Sequence, residues 1–498
     1  MYYCGNHRCM LFNTKEFAAF FAVVMVIYWL LFKWRHLQNL VLLAGSMYFY
    51  AQLHYSFPIY LSILIITSYL FALLISKNEN PLQRKVLLVI GLCLISCGLV
   101  YTKYSGLFFS GIKGLEQWQA SVLHILVPVG ISFYTFSTLG YITDVYRRKI
   151  SAEKNFLTYA TYISFFPHLL SGPIPSAQTI LPQFSKKASI SLSSIDESIG
   201  EILWGLFKKM VVADNISLAV SYCFSQYQEL NGSTMAIGVM LFGLQLYADF
   251  SGYSSIAKGL GGLLGIELLQ NFQLPFSSKS VTEFWRRWHI SLTNWFYEYI
   301  FNPIVLTYRN WGIWSVVFGL MLTFLISGFW HGAGWQFVIW GLLHGIVMVY
   351  EAISRKQRKQ LSKNTPVFVY NFCSNLFVLL FLGFSWVFFR ASSVNDALQI
   401  LSHIFSKSII AAPMQYVAKY IMWCLPMLFI EWAQRKGAYS MDIRQWRIPE
   451  IASGNKLTSQ KAIQINYAIK ACLYLLLCIS IYLFYKQQNA VEYYYFKF

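Results

Sequence analysis

The histidine at position 331 has the surroundings of a catalytic group. It is the centre of the stretch Ser327-Gly-Phe-Trp-His-Gly-Ala-Gly-Trp335, which separates two apolar runs that are each long enough to form most of a membrane helix. A neutral imidazole can act as a general base near pH 7 and take a proton from an attacking hydroxyl. The neighbouring glycines leave room for a substrate, and Trp330 and Trp335 could wall a cavity. The residues alone leave open a second interpretation, a structural histidine that is hydrogen-bonded between helices.

A second histidine, His289, closes a segment rich in tryptophan and arginine. It follows Trp285-Arg-Arg-Trp288, so Trp285 and His289 are one helical turn apart and share a face. A catalytic role is possible for His289, with Trp285 and Arg286 as candidate substrate contacts. Taken without other information, the pattern favours a histidine packed under tryptophan at the membrane interface.

Three more ionisable residues lie in or beside apolar segments. His168 stands beside a proline in a broken segment, which favours a structural role. His344 follows His331 by 13 residues, and this spacing predicts a different helical face. Asp249, at the end of an apolar stretch, is a candidate for orienting a histidine or binding a polar substrate, although pairing with a nearby Lys or Arg is the interpretation we favour.

The sequence gives no pattern for metal or serine-nucleophile chemistry. It has no His-x-x-Glu-His spacing of the kind that binds zinc, and no Gly-x-Ser-x-Gly nucleophile elbow. Cys4, His7 and Cys9 are three potential ligands without a fourth, and they predict neither a metal site nor a disulfide. We therefore expect no metal.

The composition is that of a membrane protein with many spans. Of 498 residues, 57% are hydrophobic and 12% are charged, whereas a soluble domain has roughly 25% charged residues. The chain carries 39 basic and 20 acidic residues, a net charge of +19. No basic domain stands apart from the apolar runs, which argues against a nucleic-acid-binding protein. The basic residues lie in short loops, as expected for loops that face the cytoplasm.

The apolar runs predict an all-α architecture with about 10 to 12 transmembrane helices, given that a helix needs about 20 residues to cross the hydrocarbon. Basic clusters at residues 33–36, 77–85, 147–149 and 355–359 are predicted to be cytoplasmic, which places both termini outside.

Three segments are expected to differ from simple spans. Residues 164–175 contain three prolines and a glycine, which predicts a re-entrant element or cavity wall. Residues 201–212, with two adjacent lysines, predict a short interfacial helix. Residues 280–292 predict a second interfacial helix, which begins with a Ser280–Glu283 capping box.

Ten ordered motifs give the sequence a resemblance to a known family. They are Asn13–Phe17, Leu43–Tyr50, Gly130–Phe136, Ile142–Tyr146, Phe165–Ile174, Gly205–Asn215, Tyr247–Gly252, Phe284–Leu292, Ser327–Trp335 and Trp386–Ala391. With these motifs the chain resembles the membrane-bound O-acyltransferases, in the branch that includes the alginate O-acetylation membrane protein. The resemblance covers most of residues 10–405, and residues 495–498 are also similar to the family's ending.

The resemblance implies a fold, a reaction and two site residues. The fold would be a bundle of transmembrane, re-entrant and interfacial helices around a central funnel or tunnel. The family's catalytic histidine falls on His331, and a second histidine of less certain role falls on His289. The implied reaction is attack by a hydroxyl on an acyl thioester from the cytoplasm, with an acetyl-CoA-like donor as co-substrate and no tightly bound cofactor. An extracytoplasmic partner and a cell-envelope polysaccharide acceptor in a bacterium would complete the system.

Two other functions remain as alternatives. One is the D-alanyl transfer protein of teichoic acid synthesis, which would take its acyl group from an acyl carrier protein. The other is a polytopic transporter, which predicts inverted repeats and a path of ionisable residues that the sequence does not show. In domain terms we expect a possible upstream start at residues 1–9, a transmembrane core at 10–405 and a C-terminal transmembrane extension at 406–498.

The depth of His331 is a difficulty for the acyltransferase interpretation. Counting 20 residues back from Glu351, predicted to be cytoplasmic, gives about 30 Å along a straight helix, which would put His331 at the outer face. We therefore expect a tilted helix after Gly334, or a glycine-rich stretch that folds back into the membrane.

Overall fold

The computed structural model describes residues 10–109, 127–406, 414–433 and 456–485. In this part of the chain all regular secondary structure is helical, as predicted. The proposed upstream start and the Cys4, His7, Cys9 group lie outside the described residues. The first ten α-helices are α1 Lys15–Leu30, α2 Arg35–Ala51, α3 Phe57–Lys77, α4 Pro81–Phe109, α5 Ile131–Tyr146, α6 Phe156–Ser164, α7 Phe166–Leu169, α8 Ala177–Ser185, α9 Leu192–Leu206 and α10 Asp214–Ser225.

The second half of the chain continues this pattern. Its α-helices are α11 Gly232–Leu263, α12 Val281–Arg287, α13 Ile290–Phe296, α14 Asn302–Thr307, α15 Ile313–His331, α16 Trp335–Ile353, α17 Arg355–Asn364, α18 Val367–Arg390, α19 Val394–Ser406, α20 Met414–Ala433 and α21 Lys456–Tyr485. Two π-helical turns, Phe207–Ala213 and Tyr297–Phe301, follow α9 and α13.

Six of the described helices are long and apolar enough to cross a membrane: α3, the first 24 residues of α4, α11, α15, α16 and α18. Shorter apolar helices cover Tyr420–Trp432 and Lys470–Tyr485. The protein is therefore a multi-pass membrane protein, while the total of 10 to 12 crossings remains a prediction. The most apolar 18-residue stretch of α11 is 78% buried, against 17% for that of α4. Helix α11 is thus central and α4 peripheral.

Helix α11 joins two hydrophobic cores. Its first part, from Met235 to Phe250, belongs to a core formed with α5, α9, α10 and the second half of the chain. Its last part, from Tyr253 to Leu260, belongs to a core formed with α1–α3 and the helices up to α8. Both cores therefore meet on one helix.

Close helix packing in this region depends on glycine. A Cβ atom on Gly259 of α11 would lie 2.5 Å from the backbone oxygen of Ser198 in α9, and a Cβ on Gly205 would lie 2.6 Å from that of Gly252. Only a residue without a side chain permits this approach.

The segment at residues 201–212 is not the interfacial helix that we predicted. It is the end of α9 followed by the first π-turn, and it packs against α11 in the core. Lys208 and Lys209 have no exposed surface. The Lys209 ammonium lies 2.8 Å from Asp249 and 2.9 Å from Asp214. The prediction failed because the carboxylate from α11 that lets this lysine enter the core is 40 residues away in sequence.

The proline-broken segment is buried, in agreement with its predicted role as a cavity wall. His168 Nε2 lies 3.0 Å from the backbone oxygen of Tyr162, so this histidine is structural, as expected. The backbone N–H of Ile174 donates to the hydroxyl of Ser291 at 2.9 Å, and Ile174 and Pro175 line a cavity of about 310 Å³. The segment thus contacts the chain two residues beyond His289.

Candidate active site

A helical hairpin positions His331. Helix α15 ends at His331 and helix α16 begins at Trp335, so the glycine-rich stretch is the turn between them. The two helices are in close contact: a Cβ on Gly341 would lie 2.3 Å from the backbone oxygen of Phe324, and one on Gly328 would lie 2.5 Å from that of Phe337. Glycine is therefore required on both helices. His331 is 5% exposed.

Helix α12 positions the second histidine and is fixed at its start by two caps. The Ser280 hydroxyl accepts from the backbone N–H of Glu283 at 3.0 Å, as the predicted capping box requires. The Glu351 carboxylate, from the end of α16, accepts from the backbone N–H groups of Val281 and Thr282 at 2.8 Å each. An anion at a helix N-terminus is stabilising, so Glu351 ties α12 to the helix that follows His331.

His289 lies at a sharp break between α12 and α13. Its φ of +45° is in the left-handed region, which costs energy for a non-glycine residue. Asn271 stabilises the break: its backbone oxygen accepts from Ile290 N–H at 2.9 Å, and its Oδ1 accepts from Ser291 N–H at 3.1 Å. His289 is 1% exposed. The prediction of a histidine at the membrane interface is therefore wrong, because the break turns this side chain into the core.

The two histidines line the same small cavity, together with His344. The cavity has a volume of about 20 Å³, which is room for about one water molecule. The remaining wall residues are Leu246, Phe284, Trp285, Trp288, Leu292, Trp340, Leu382, Trp386 and Phe389. Three imidazoles within a shell of apolar and aromatic side chains make a site suited to proton transfer with water excluded.

Aromatic rings connect the three imidazoles. The ring centroid of Trp330 is 6.5 Å from that of His289 and 4.6 Å from that of His331. The ring of Trp340 lies 4.8 Å from His331 and 4.8 Å from His344. Such packing holds the imidazoles in fixed orientations.

The tautomer of His344 follows from its two hydrogen bonds. Trp285 Nε1 lies 3.2 Å from His344 Nδ1, and an indole nitrogen can only donate, so Nδ1 must accept. The ring proton of the neutral imidazole is then on Nε2, which donates to the Ser385 hydroxyl at 3.2 Å. Three helices, α12, α16 and α18, are joined by this chain.

A larger cavity adjoins the histidine cavity. It has a volume of about 460 Å³, and Trp285 and Leu292 are walls of both. Arg286, Thr282 and Met348 also line it. Thr282 Oγ1 contacts both Met348 and Glu351, so this cavity extends from beside the histidines toward the C-terminal end of α16, which the basic helix α17 follows.

Comparison with known proteins identifies the family of this chain. The sequence model of MBOAT, the membrane-bound O-acyltransferase family, matches residues 20–394, well over half of the chain. The chain belongs to this family. It is therefore an O-acyltransferase, which confirms the resemblance seen in the motifs.

Individual relatives of the acyltransferase carry more specific names. The chain is 32% identical over 406 residues to a probable alginate O-acetylase of Pseudomonas putida, covering 80% of each protein. It is 32% identical over 430 residues to a peptidoglycan O-acetyltransferase of Helicobacter pylori, covering 79% of each. A teichoic acid D-alanyltransferase of Bacillus subtilis is 26% identical over 284 residues, which are 53% of this chain and 70% of that protein.

The other predicted site residues of this acyltransferase do not all lie beside the histidine cavity. Trp330 is buried and packs on His331, but Trp335 is 68% exposed at the start of α16 and does not wall the histidine cavity. Trp335 lies outside the histidine cavity because it begins α16, after the turn that follows His331. Arg286 is exposed and lines only the larger cavity. Asp249 pairs with Lys209, which is the interpretation that we favoured over substrate binding.

Two residues near the site of the acyltransferase were not recognised from the sequence. The interpretation of His344 was wrong, because the 13-residue count treated two antiparallel helices as one. The ammonium of Lys103, from α4, donates to the backbone oxygen of Trp330. A lone lysine within an apolar run was a usable signal. Among the described residues there is no group of three or more His, Cys, Asp or Glu placed to hold a metal ion.

Proposed function

We propose that this acyltransferase moves an acetyl group from a cytoplasmic thioester donor toward hydroxyls of a cell-envelope polysaccharide. The observation that carries the proposal is the meeting of His289 and His331 on one buried cavity, in a chain whose relatives at 32% identity are named as O-acetylating enzymes. The donor would be an acetyl-CoA-like thioester that acts as a co-substrate, with no tightly bound cofactor.

His331 would serve as the general base. It would take the proton of the attacking hydroxyl and return a proton to the thiolate that leaves. Burial among Trp330, Trp340 and Phe389 keeps bulk water away from the thioester, which favours transfer over hydrolysis. His289, which lines the same cavity, is the second catalytic candidate.

The donor would enter through the larger cavity. A volume of about 20 Å³ does not admit an acyl group, whereas about 460 Å³ accommodates an extended thioester arm. The two cavities share Trp285 and Leu292 as walls, so movement of these side chains would join them. Arg286 at the larger cavity supplies a positive charge for an anionic part of the donor.

The cellular setting follows from the same chemistry. We place the protein in a bacterial inner membrane with both termini outside, since the basic loops are predicted to be cytoplasmic. A polysaccharide cannot enter so narrow a site, which favours an extracytoplasmic partner protein that receives the acetyl group and modifies the polymer.

The runner-up substrate is a D-alanyl thioester on an acyl carrier protein, for teichoic acid. The relatives with that name align with a smaller share of this chain, 53% for the one from Bacillus subtilis against 80% for the alginate relative. Co-purification of a small acyl carrier protein would reverse the preference. The transporter alternative lacks support, because the chain belongs to an acyltransferase family.

The test is the variant His331→Ala in cells that lack the natural copy. We expect base-labile acetate on envelope polysaccharide, measured by mass spectrometry, to fall to the level of the deletion strain. His36→Ala, which alters an exposed histidine of α2, is the matched control and should retain wild-type acetylation. Full acetylation by His331→Ala at equal membrane abundance would overturn the proposal.

A further inference from the structure

Two indole N–H groups beside His331 have no acceptor within the described part of the chain. They belong to Trp330 and Trp340, which are 6% and 4% exposed. Three indoles elsewhere do donate: Trp285 to His344, Trp295 to the backbone oxygen of Phe136 at 2.9 Å, and Trp29 to that of Leu263 at 3.0 Å. Buried donors in proteins are almost always satisfied. The missing acceptors of the Trp330 and Trp340 N–H groups therefore need a physical explanation.

Of these two residues, Trp340 is the one on the histidine cavity. Its ring forms part of the cavity wall, while Trp330 lies behind His331 and is not among the wall residues. The Trp340 ring is held between His331 and His344, at 4.8 Å from each, and lies 5.2 Å from the ring of Phe389. A rigid donor thus lies next to the predicted general base.

We propose that the indole N–H of Trp340 is the oxyanion donor of acyl transfer, hydrogen-bonding the carbonyl oxygen of the thioester as negative charge develops on it. This inference rests on the proposed function. An indole is a donor only and stays neutral, so it can stabilise an oxyanion without giving up its proton. It also explains the buried donor without a partner, which gains its acceptor when the substrate binds.

Acyl transfer passes through a tetrahedral intermediate. The hydroxyl oxygen of the acceptor attacks the thioester carbon while His331 removes the hydroxyl proton, and the carbonyl π electrons move to the oxygen that Trp340 binds. Collapse of this tetrahedral intermediate restores the carbonyl and breaks the carbon–sulfur bond. The thiolate leaves with the proton held by His331. One ester and one thiol are formed from one alcohol and one thioester.

The location suits this role for a physical reason. A donor works best when it is fixed before reaction and when water is excluded from the site. Trp340 is packed on four aromatic neighbours, and the cavity has room for about one water molecule. General base and oxyanion donor stand on adjacent walls, so one reacting carbon can be within reach of both.

The first experiment compares Trp340→Phe with Trp204→Phe. Trp204 also has a fully buried indole N–H without a partner in the described region, but it lies in α9 and does not line the histidine cavity. Both variants lose the same N–H and the same ring volume. The assay is the initial rate of thiol release from acetyl-CoA by the protein in native nanodiscs, extracted from membranes that retain the extracytoplasmic partner, with polysaccharide from the deletion strain as the final acceptor.

We expect Trp340→Phe to lower kcat about 100-fold or more, with the KM for acetyl-CoA changed little, since removal of one oxyanion donor typically has an effect of that size. Trp204→Phe should keep kcat within a few-fold of wild type. The inference is overturned if wild type transfers acetyl and Trp340→Phe has a kcat within about threefold of it. A wild-type protein no more active than His331→Ala would instead contradict the proposed function.

A second variant separates the N–H from the packing of the ring. Replacing Trp340 by 3-benzothienylalanine, through amber suppression, keeps the ring shape and substitutes sulfur for the N–H. If the residue acts as a donor, this variant should lose kcat as Trp340→Phe does, while its thermal unfolding stays close to wild type. Retention of wild-type kcat in the benzothienyl variant would show a packing role and refute the inference.

Discussion

At the scale of single residues, the candidate site is built from three histidines that line one buried cavity. His331 could be recognised because an ionisable group inside an apolar stretch needs a function. His289 was underestimated, since its burial depends on the left-handed break that Asn271 stabilises from another segment. His344 was predicted to lie on a different helical face from His331. Its position on the histidine cavity depends on the antiparallel pairing of α15 and α16, a tertiary feature that spacing along the chain does not contain.

The hydrogen bond from Trp285 to His344 gives the first residue-scale prediction. Trp285→Phe removes the donor that fixes the His344 tautomer but keeps an aromatic wall between the two cavities. A neutral hydrogen bond contributes about 1 kcal/mol, so we expect acetyl transfer to fall about 5- to 10-fold. The measurement is the initial rate of thiol release from acetyl-CoA.

Trp29→Phe is the control for this variant. It removes an indole hydrogen bond of similar length, to Leu263, in a part of the molecule that contacts neither cavity. Its activity should equal that of wild type at equal membrane abundance. Equal rates for wild type and Trp285→Phe would mean that the His344 tautomer has no influence on transfer.

At the scale of elements, the hairpin of α15 and α16 explains the depth of His331. Because helical side chains lean toward the helix N-terminus, the His331 ring reaches back along α15. It lies beside Trp340, 4.8 Å between centroids, and Trp340 precedes Glu351 by eleven residues, which is about 16 Å along α16. The distance of about 30 Å expected from the sequence came from counting 20 residues along one straight helix from Glu351 to His331. The two helices could be predicted from the length of their apolar runs. Which residues of α15 lie beside which residues of α16 could not be predicted.

The close contact in this hairpin predicts a strong effect of one methyl group. In Gly341→Ala the new Cβ would lie 2.3 Å from the Phe324 backbone oxygen, so α15 and α16 must separate. We expect a loss of about 1 to 3 kcal/mol in stability, as for an overpacked core. Acetyl transfer should fall about 100-fold, since a shift of about 1 Å in a catalytic group has effects of that order.

Gly98→Ala on α4 is the matched control, because within the described part of the chain no atom beyond the adjoining helix backbone lies within 4 Å of its new Cβ. Thermal unfolding in detergent and acetate content of the envelope polysaccharide measure both effects. If Gly341→Ala matched Gly98→Ala in both, the hairpin contact could not be what positions His331.

At the scale of the whole molecule, composition correctly predicted a multi-pass membrane protein, but sequence patterns gave the wrong location for two lysines. Few charges and long apolar runs indicate a multi-pass membrane protein on any reading of the sequence. The same reasoning assigned Lys208 and Lys209 to the membrane interface, whereas both are in the core. Lys209 bridges Asp214 of α10 and Asp249 of α11, so a single cation joins the π-turn to two helices. Asp249 is 40 residues from Lys209 in sequence, and a partner at that distance is not visible in local patterns.

This buried group leads to a prediction about global stability. Lys209→Met would leave the Asp214 and Asp249 carboxylates close together without the cation between them. Breaking a buried pair by removing one partner typically costs about 3 to 5 kcal/mol, so we expect a large decrease in unfolding temperature and in membrane abundance. Lys149→Met, which removes a partly exposed partner of Glu298, should change stability by no more than about 1 kcal/mol.

The triple variant Lys209→Met, Asp214→Asn, Asp249→Asn tests whether the group acts on the site as well as on stability. It removes all three charges together, so much of the lost stability should return. Asp249 precedes Phe250, whose ring packs edge-on against His289 at 4.6 Å between centroids. If the ion group also fixes that ring, acetyl transfer will stay low in the restored protein. Wild-type acetyl transfer in the triple variant would show that the ion group affects stability only. Wild-type stability in Lys209→Met would contradict the predicted loss of stability.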